Sequence, residues 1–452
     1  QYFHCLSTCT LDVPAGEVRI SVQHGLAHEL WQKTLDAEAG KSRTLDIALQ
    51  SNALPAAFGP WRSADLHVHM NYGGQYRNTP AYLVQQAKAE DLNIVHNLIV
   101  NKEERIPDIG YFQAAADTAG DADTVLWHGQ EFHTSFWGHL GLLNLDDHLL
   151  TPDFASYRHT ALASPFPHNG VIADLAHAQH ARVGYVHPFD WRIVPENEIK
   201  LSHQLPADAI NGKVDYLEVV GFSDHLATAD VWYRLLNLGI HLAAGAGTDA
   251  MANYASLRGP VGMNRVFINT DSLDKNAVNA KIRAGNSFVS NTSLLGLHVN
   301  SQAPGAVLKG AAGEAVTVSV SMRSIAPMQK LELVHNGAVI KVFDVSADGK
   351  RFDASESLVL RQDGWLLLRA YNDAAQPDIL DIYPYASTNP VYVRGFGAKP
   401  DARADAAYFV RWLDRVIEAA EKRHADFNTE TEFQSTLEYL RQARGKYLEL
   451  GK

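Results

Sequence analysis

The stretch WRSADLHVHMNYGG, residues 61 to 74, sets Asp65, His67 and His69 two positions apart, with Leu66 and Val68 between them. Strand side chains alternate faces, so the three polar groups are expected on one face and the aliphatics behind it. Two imidazoles side by side at a strand's end are a common seat for a divalent cation. The alternative is a polar edge strand whose histidines meet water. What separates the two is whether more ligand-type residues recur downstream, each at the end of an apolar run.

They do recur. Glu131 follows DTVLWHGQ, His139 stands at the start of the run GHLGLLNL, His187 ends VGYVH and Asp249 ends HLAAGAGTD. A carboxylate can bridge two cations, and neutral imidazoles supply nitrogen without adding charge. Two metals about 3.5–4 Å apart share a hydroxide whose pKa falls far below that of bulk water. The expected division gives one metal to His67, His69, Glu131 and Asp249 and the other to Glu131, His139 and His187. Asp65 is expected behind an imidazole as its hydrogen-bond partner.

Around these residues, helix and strand patterns alternate from about 61 to 295. TPAYLVQQAKAED (79–91) has a Thr cap and a first-turn Pro, and LNIVHNLIV reads as a buried strand. VIADLAHAQHA and VWYRLLNLG read as helices, and RVGYVHPFDW, KVDYLEVVGF and HLAAGAGTD as strands. Repeated units of this size point to a parallel α/β barrel or wound sheet, with the chemistry at the carboxyl ends of the strands. Residues 1–60 read as a small β-rich segment with strands at EVRISVQ and RTLDIALQ. Residues 296–398 read as a β-sandwich with NG, DG and ND turns, and 399–452 as two amphipathic helices forming a hairpin.

The motifs DLHVH (65–69), IVHNL (94–98), GQEFHTSFWGHLGLL (129–143), GYVHPFD (184–190) and AGTDA (246–250), with the exit segment AGNSFVSNTSLLGLHVN (284–300), resemble those of the polymerase-and-histidinol-phosphatase (PHP) superfamily. Within it they are most similar to the CehA/McbA-type metallohydrolases, named for carbaryl hydrolase. The resemblance covers roughly residues 61–300. It implies a distorted (β/α)7 barrel with metals at its mouth, flanked here by the β-sandwich and the helical hairpin. Many members end with Asp, any residue, His, where that His serves a third metal; here the position is Met251, and Gly73 and Gly74 stand where others carry a further ligand. Two divalent ions are therefore expected, zinc first and manganese or iron next, with His96 at most facing substrate or standing behind a ligand.

Composition narrows the field further. The chain has 452 residues, 46% hydrophobic and 20% charged, enough for two to four domains at about 100–200 residues each. Net charge is −12, from 39 basic against 51 acidic residues, with no basic run; this argues against a nucleic-acid surface and leaves a small molecule as the partner. No apolar run reaches the ~18 residues of a membrane span. Oligomeric state is left open. Cys5 and Cys9 either close a small loop or stay free, and a secreted or periplasmic location is placed ahead of a cytoplasmic one.

A binuclear hydroxide attacks carbonyl and phosphoryl centres alike, so the substrate must be read from what surrounds it. Arg77, Lys102, Arg192 and Arg258 each follow a motif and suit a phosphoester. Aromatics are as abundant: Tyr72, Trp137 and Trp191, with Arg258, are the expected substrate contacts, which suits an ester or carbamate bearing an aryl group. The eponymous enzymes cleave such a carbamate. Ester-type hydrolysis is the first expectation, phosphoester hydrolysis the second and a binding protein on the same fold the third. His133, His96 and Tyr254, in that order, are the expected general acids, while His128 is expected to make a core hydrogen bond.

Overall fold

The computed structural model describes residues 2–100, 107–151, 156–198, 200–254 and 256–452. The chain is mixed α/β, with seven α-helices among the described residues and a 16-stranded sheet of mixed direction. Along the half that carries the motifs, the strands run Ser287–Ser290, Arg265–Ile268, Arg62–His69, Ile94–Ile99, Val125–Phe132, Leu140–Leu143, Arg182–Tyr185, Tyr216–Val220 and Ala243–Ala246. The last of these comes back against Arg62–His69, Arg265–Ile268 and Ser287–Ser290. Curvature of this degree needs small residues inside. A Cβ at Gly184 would meet the Tyr216 ring at 2.2 Å and one at Gly245 would meet it at 2.5 Å, so the ring fills the space those glycines leave.

The expected parallel alternation holds only in part. Arg62–His69, Ile94–Ile99 and Val125–Phe132 are parallel neighbours, as are Arg182–Tyr185, Tyr216–Val220 and Ala243–Ala246. Leu140–Leu143, however, runs antiparallel to both its neighbours, because a loop without a helix joins it to Val125–Phe132. Arg265–Ile268 is antiparallel to Arg62–His69 as well.

Helix ends follow local chemistry. Thr79 accepts from Tyr82 N at the start of Pro80–Ala89, and Thr429 and Glu432 form a reciprocal capping box for Glu430–Leu450. That last helix packs on Arg403–Glu421 and on Leu205–Ile210. No helix among the described residues is long and apolar enough to cross a membrane.

Downstream, Ser287–Ser290 pairs antiparallel with Tyr385–Thr388, so the large sheet continues without a break into the C-terminal β region. A three-stranded sheet, Ser293–Val299, Ala315–Ser324 and Arg351–Val359, faces it across a core of Leu295, Leu297, Val318, Leu333, Leu366 and Leu368. Asn336 and Gly337, both at positive φ (52° and 84°), make the tight turn between Lys330–His335 and Ala338–Val342.

In the N-terminal segment Gly16–Val22 pairs with Trp31–Ala37, not with RTLDIALQ. Leu45, Ile47 and Leu49 are half-buried and the residues between them exposed, so the alternation there is real. Its backbone nevertheless joins no ladder beyond the isolated bridge His28 to Ser51. Cys5 and Cys9 are joined as a disulfide.

Candidate metal centre

Six side chains from five separated stretches converge at one end of the curved sheet. His67 and His69 end Arg62–His69, and Glu131 lies near the end of Val125–Phe132. His139 sits just before Leu140–Leu143, while His187 and Asp249 lie just past Arg182–Tyr185 and Ala243–Ala246. The last two adopt left-handed backbone, φ 29° at His187 and 54° at Asp249. Such conformations cost free energy in a residue with a Cβ and gather where surrounding structure must aim a side chain. Backbone contacts hold the aim: Asp249 N donates to His67 O at 2.7 Å, and Val186 N to His139 O at 3.3 Å.

The donors of the group are spoken for on its outer side. His69 Nδ1 lies 2.7 Å from Leu98 O, and a carbonyl only accepts, so the proton of a neutral ring is on Nδ1. His67 Nδ1 faces Glu218 Oε2 at 3.2 Å, which fixes its tautomer likewise. Both Nε2 lone pairs then point inward, 3.2 Å apart. His69 Nε2 is 3.2 Å from Glu131 Oε2 and 3.0 Å from Asp249 Oδ1; the distances from His67 Nε2 are 3.7 and 3.5 Å. Two nitrogen lone pairs and two carboxylate oxygens facing one another repel unless protons or a cation come between them. The far oxygen of Glu131, Oε1, meets His139 Nδ1 at 2.8 Å and His187 Nε2 at 3.0 Å. One carboxylate thus faces two sets of imidazoles. Three triads, His67/His69/Glu131, Glu131/His139/His187 and His67/His187/Asp249, each offer ligand atoms within 4.8 Å of one another.

Electrostatics tell the same story from the proton's side. Burial alone would raise Glu131, yet hydrogen bonds from His139, His187 and His67 outweigh it and hold the carboxyl well below its usual range. Asp249 is also lowered: burial opposes this, and His67, His69 and His187 overcome it. His67 is pushed well above its ordinary value, and His69 upward too; burial pulls both down, but the facing carboxylates win. His139, where burial dominates, is lowered. The carboxylates that favour a charged imidazole here against burial would equally favour a cation, whose binding would displace protons from the rings.

Glu218, which sequence reasoning passed over, is wholly buried. Besides His67 Nδ1 it accepts from His187 N at 3.2 Å, so one carboxylate positions two members of the cluster. The available signal was an acid in the middle of the apolar run YLEVV. Asp65, by contrast, does not support an imidazole. It accepts from the backbone N–H groups of His67, Thr248 and Gly262, because the strand register shifts between Asp65 and Val68 and simple alternation fails there. Burial pushes its carboxyl up to about 6.

Other expected site residues divide. Arg258 Nη1 lies 2.7 Å from Asp249 Oδ1, its guanidinium 4.6 Å above the half-exposed Phe222 ring, and its Nη1 3.8 Å from the sulfur of Met251. Tyr72 packs on His69 with ring centres 4.9 Å apart, and His133 lies against His139 at 3.7 Å. Trp137 corrects an expectation: it is fully buried and donates to Pro165 O at 2.6 Å, so it packs the core instead of walling an opening. Trp191 is 59% exposed and donates to Glu198, and Tyr254 is 46% exposed. His96 is buried against Trp127 with both ring nitrogens unbonded, and burial lowers it to about 3, which disfavours the imidazolium form a general acid needs near neutrality. His128 makes core hydrogen bonds to Asn97 and Asp117. Arg77 bonds to nearby loop carbonyls, Arg192 faces Asp230, and Lys102 lies outside the described residues.

Searches against family models, curated proteins and solved structures give no match for this chain.

Proposed function

We propose that the protein is a binuclear metal-dependent hydrolase of PHP type, similar to the CehA/McbA branch, which cleaves a carboxylic or carbamate ester. The motif half is then a distorted (β/α)7 barrel whose last strand returns to its first, and the two C-terminal helices are a hairpin against its flank. The observation that carries the proposal is the inward facing of the His67 and His69 lone pairs, Glu131 and Asp249, with their outer nitrogens already bonded. That donor set of nitrogen and carboxylate oxygen suits zinc, and also manganese or iron.

Bound there, two divalent cations supply Lewis acidity and a water that ionises near neutral pH. The chain's own residues do the rest. Glu131 offers one oxygen to each half of the cluster. Glu218 and Leu98 O keep the two strand imidazoles in the tautomer that leaves Nε2 free. Arg258 presents a guanidinium beside Asp249, where it would meet negative charge developing on the substrate. His133, against His139 at the edge of the cluster, is the favoured group to protonate the leaving oxygen.

A second reading, phosphoester hydrolysis, has Arg258 in its favour, since a cation touching the cluster suits a dianionic group. The test is metal analysis of the purified protein, with assays on naphthyl esters, carbamates and aryl phosphates before and after chelation. At least two equivalents of metal and chelator-sensitive turnover are expected. Protein that binds no metal, or that hydrolyses all three substrate classes equally well after stripping, would overturn the proposal.

A further inference from the structure

A second convergence of ligand atoms lies apart from the central cluster, where the N-terminal segment meets the end of Pro80–Ala89. One ring nitrogen each from His24 and His28 and one Asp91 oxygen lie within 4.8 Å of one another. His24 Nδ1 is 2.9 Å from Ala89 O, so its proton is spent on the helix end and its Nε2 lone pair faces Asp91 Oδ1 at 3.9 Å. His28 Nδ1 lies 3.9 Å from Asp91 Oδ2 and 3.0 Å from His24 O, a hydrogen bond this nitrogen gives up if it is the one to ligate, and the two rings are 4.8 Å apart. These gaps are too long for hydrogen bonds to Asp91. Metal bonds of about 2.0–2.1 Å set tetrahedral ligand atoms about 3.4 Å apart, so three atoms within 4.8 Å of one another close by up to about 1.4 Å to seat an ion.

The surroundings leave this carboxylate for the histidines. The preceding acid, Glu90, is engaged by His4 Nε2 at 3.3 Å, with Arg265 Nη2 at 3.9 Å and Arg265 Nη1 on its carbonyl at 2.8 Å. Asp91 itself is left-handed (φ 56°), and a Cβ on Gly25 would stand 2.6 Å from its Cβ; the loop between the histidines is therefore drawn tightly over it. All three side chains keep about a third of their surface exposed, so water can complete the coordination.

We propose that His24, His28 and Asp91 hold a structural divalent cation, zinc by ligand type, with solvent as the remaining ligand. This goes beyond the hydrolase proposal and does not depend on it. The ion ties the N-terminal segment to the turn that leads into Ile94–Ile99. Ser63 Oγ bonds Asp91 O at 2.5 Å, which links the same turn to the strand carrying His67 and His69.

The experiment titrates metal-stripped full-length protein with zinc against a chromophoric chelator, and follows the melting temperature. His24→Ala/His28→Ala is expected to bind one equivalent fewer than wild type. Asp91→Asn, which tolerates left-handed backbone, is expected to weaken that equivalent at least tenfold. Asp249→Ala in the central cluster should leave it intact, so failure at one place is distinguishable from failure at the other. If the double variant does not fold, Asp91→Asn carries the test. Unchanged zinc number and affinity in the variants that fold would overturn the proposal.

Discussion

Replacing Glu218 by Gln separates orientation of the cluster from its composition. The carboxylate accepts from His67 Nδ1 and from His187 N, each at 3.2 Å, and is sealed from solvent. A glutamine of equal size has one acceptor oxygen, so one of the two donors must face an NH2 group. If the ring loses its partner, His67 can flip its tautomer and turn a proton toward Glu131 and Asp249. Loss of a hydrogen-bond partner behind a ligating imidazole costs about 10- to 100-fold in metal affinity, or about 1.4–2.8 kcal/mol. None of the six cluster residues is altered, so the number of sites should stay the same while each affinity curve moves. Zinc competition with a calibrated chelator reads the shift directly, and circular dichroism of the stripped protein checks that the fold survives. Zinc affinity within twofold of wild type would refute the role given to Glu218.

Glu131→Gln should be the most damaging single change at the cluster, abolishing turnover and lowering metal content at both halves, as read by elemental analysis and ester hydrolysis. Trp137→Ala should cost about 3–5 kcal/mol of stability as a buried cavity mutation, seen as a lower denaturation midpoint; a change in KM with unaltered stability would return Trp137 to the substrate. Arg258→Gln should depress hydrolysis of aryl phosphates more than of neutral carbamates if a dianion is the natural substrate, and kcat/KM for the two classes compares them. Burial raises Asp208 from 3.8 to about 6, against hydrogen bonds from Tyr185, Tyr439 and Gln204. A carboxyl raised on folding adds stability at low pH that is lost as pH climbs between about 4 and 6, here about 3 kcal/mol. Asp208→Asn should lack that contribution, so the difference between the wild-type and variant stability–pH curves should change by about 3 kcal/mol across this range; parallel curves would contradict it.

The strand and helix runs of the motif half were legible because apolar periodicity and end signals agree there, as at Thr79 and Pro80. Six residues singled out in the sequence are brought together because each closes or borders an apolar run, and strand ends on one side of a curved sheet meet. Glu218 escaped notice since its run was read only for its apolar residues. Asp65 was misjudged for the opposite reason: strict alternation was assumed across a register shift that only pairing with Ile94–Ile99 reveals. Direction was hidden at Leu140–Leu143, where a four-residue apolar run looks the same whether its neighbours are parallel or antiparallel. Trp137 shows that an aromatic inside a ligand-bearing segment carries no mark of which way it points.

The pairing of Ser287–Ser290 with Tyr385–Thr388 joins stretches nearly a hundred positions apart. A fragment ending near Val299, where the resemblance to metallohydrolases stops, would expose a bare strand margin and strip the cover from Phe288 and Leu295. Such a fragment is expected to precipitate, and anyone wishing to crystallise the half that carries the cluster should keep the whole polypeptide.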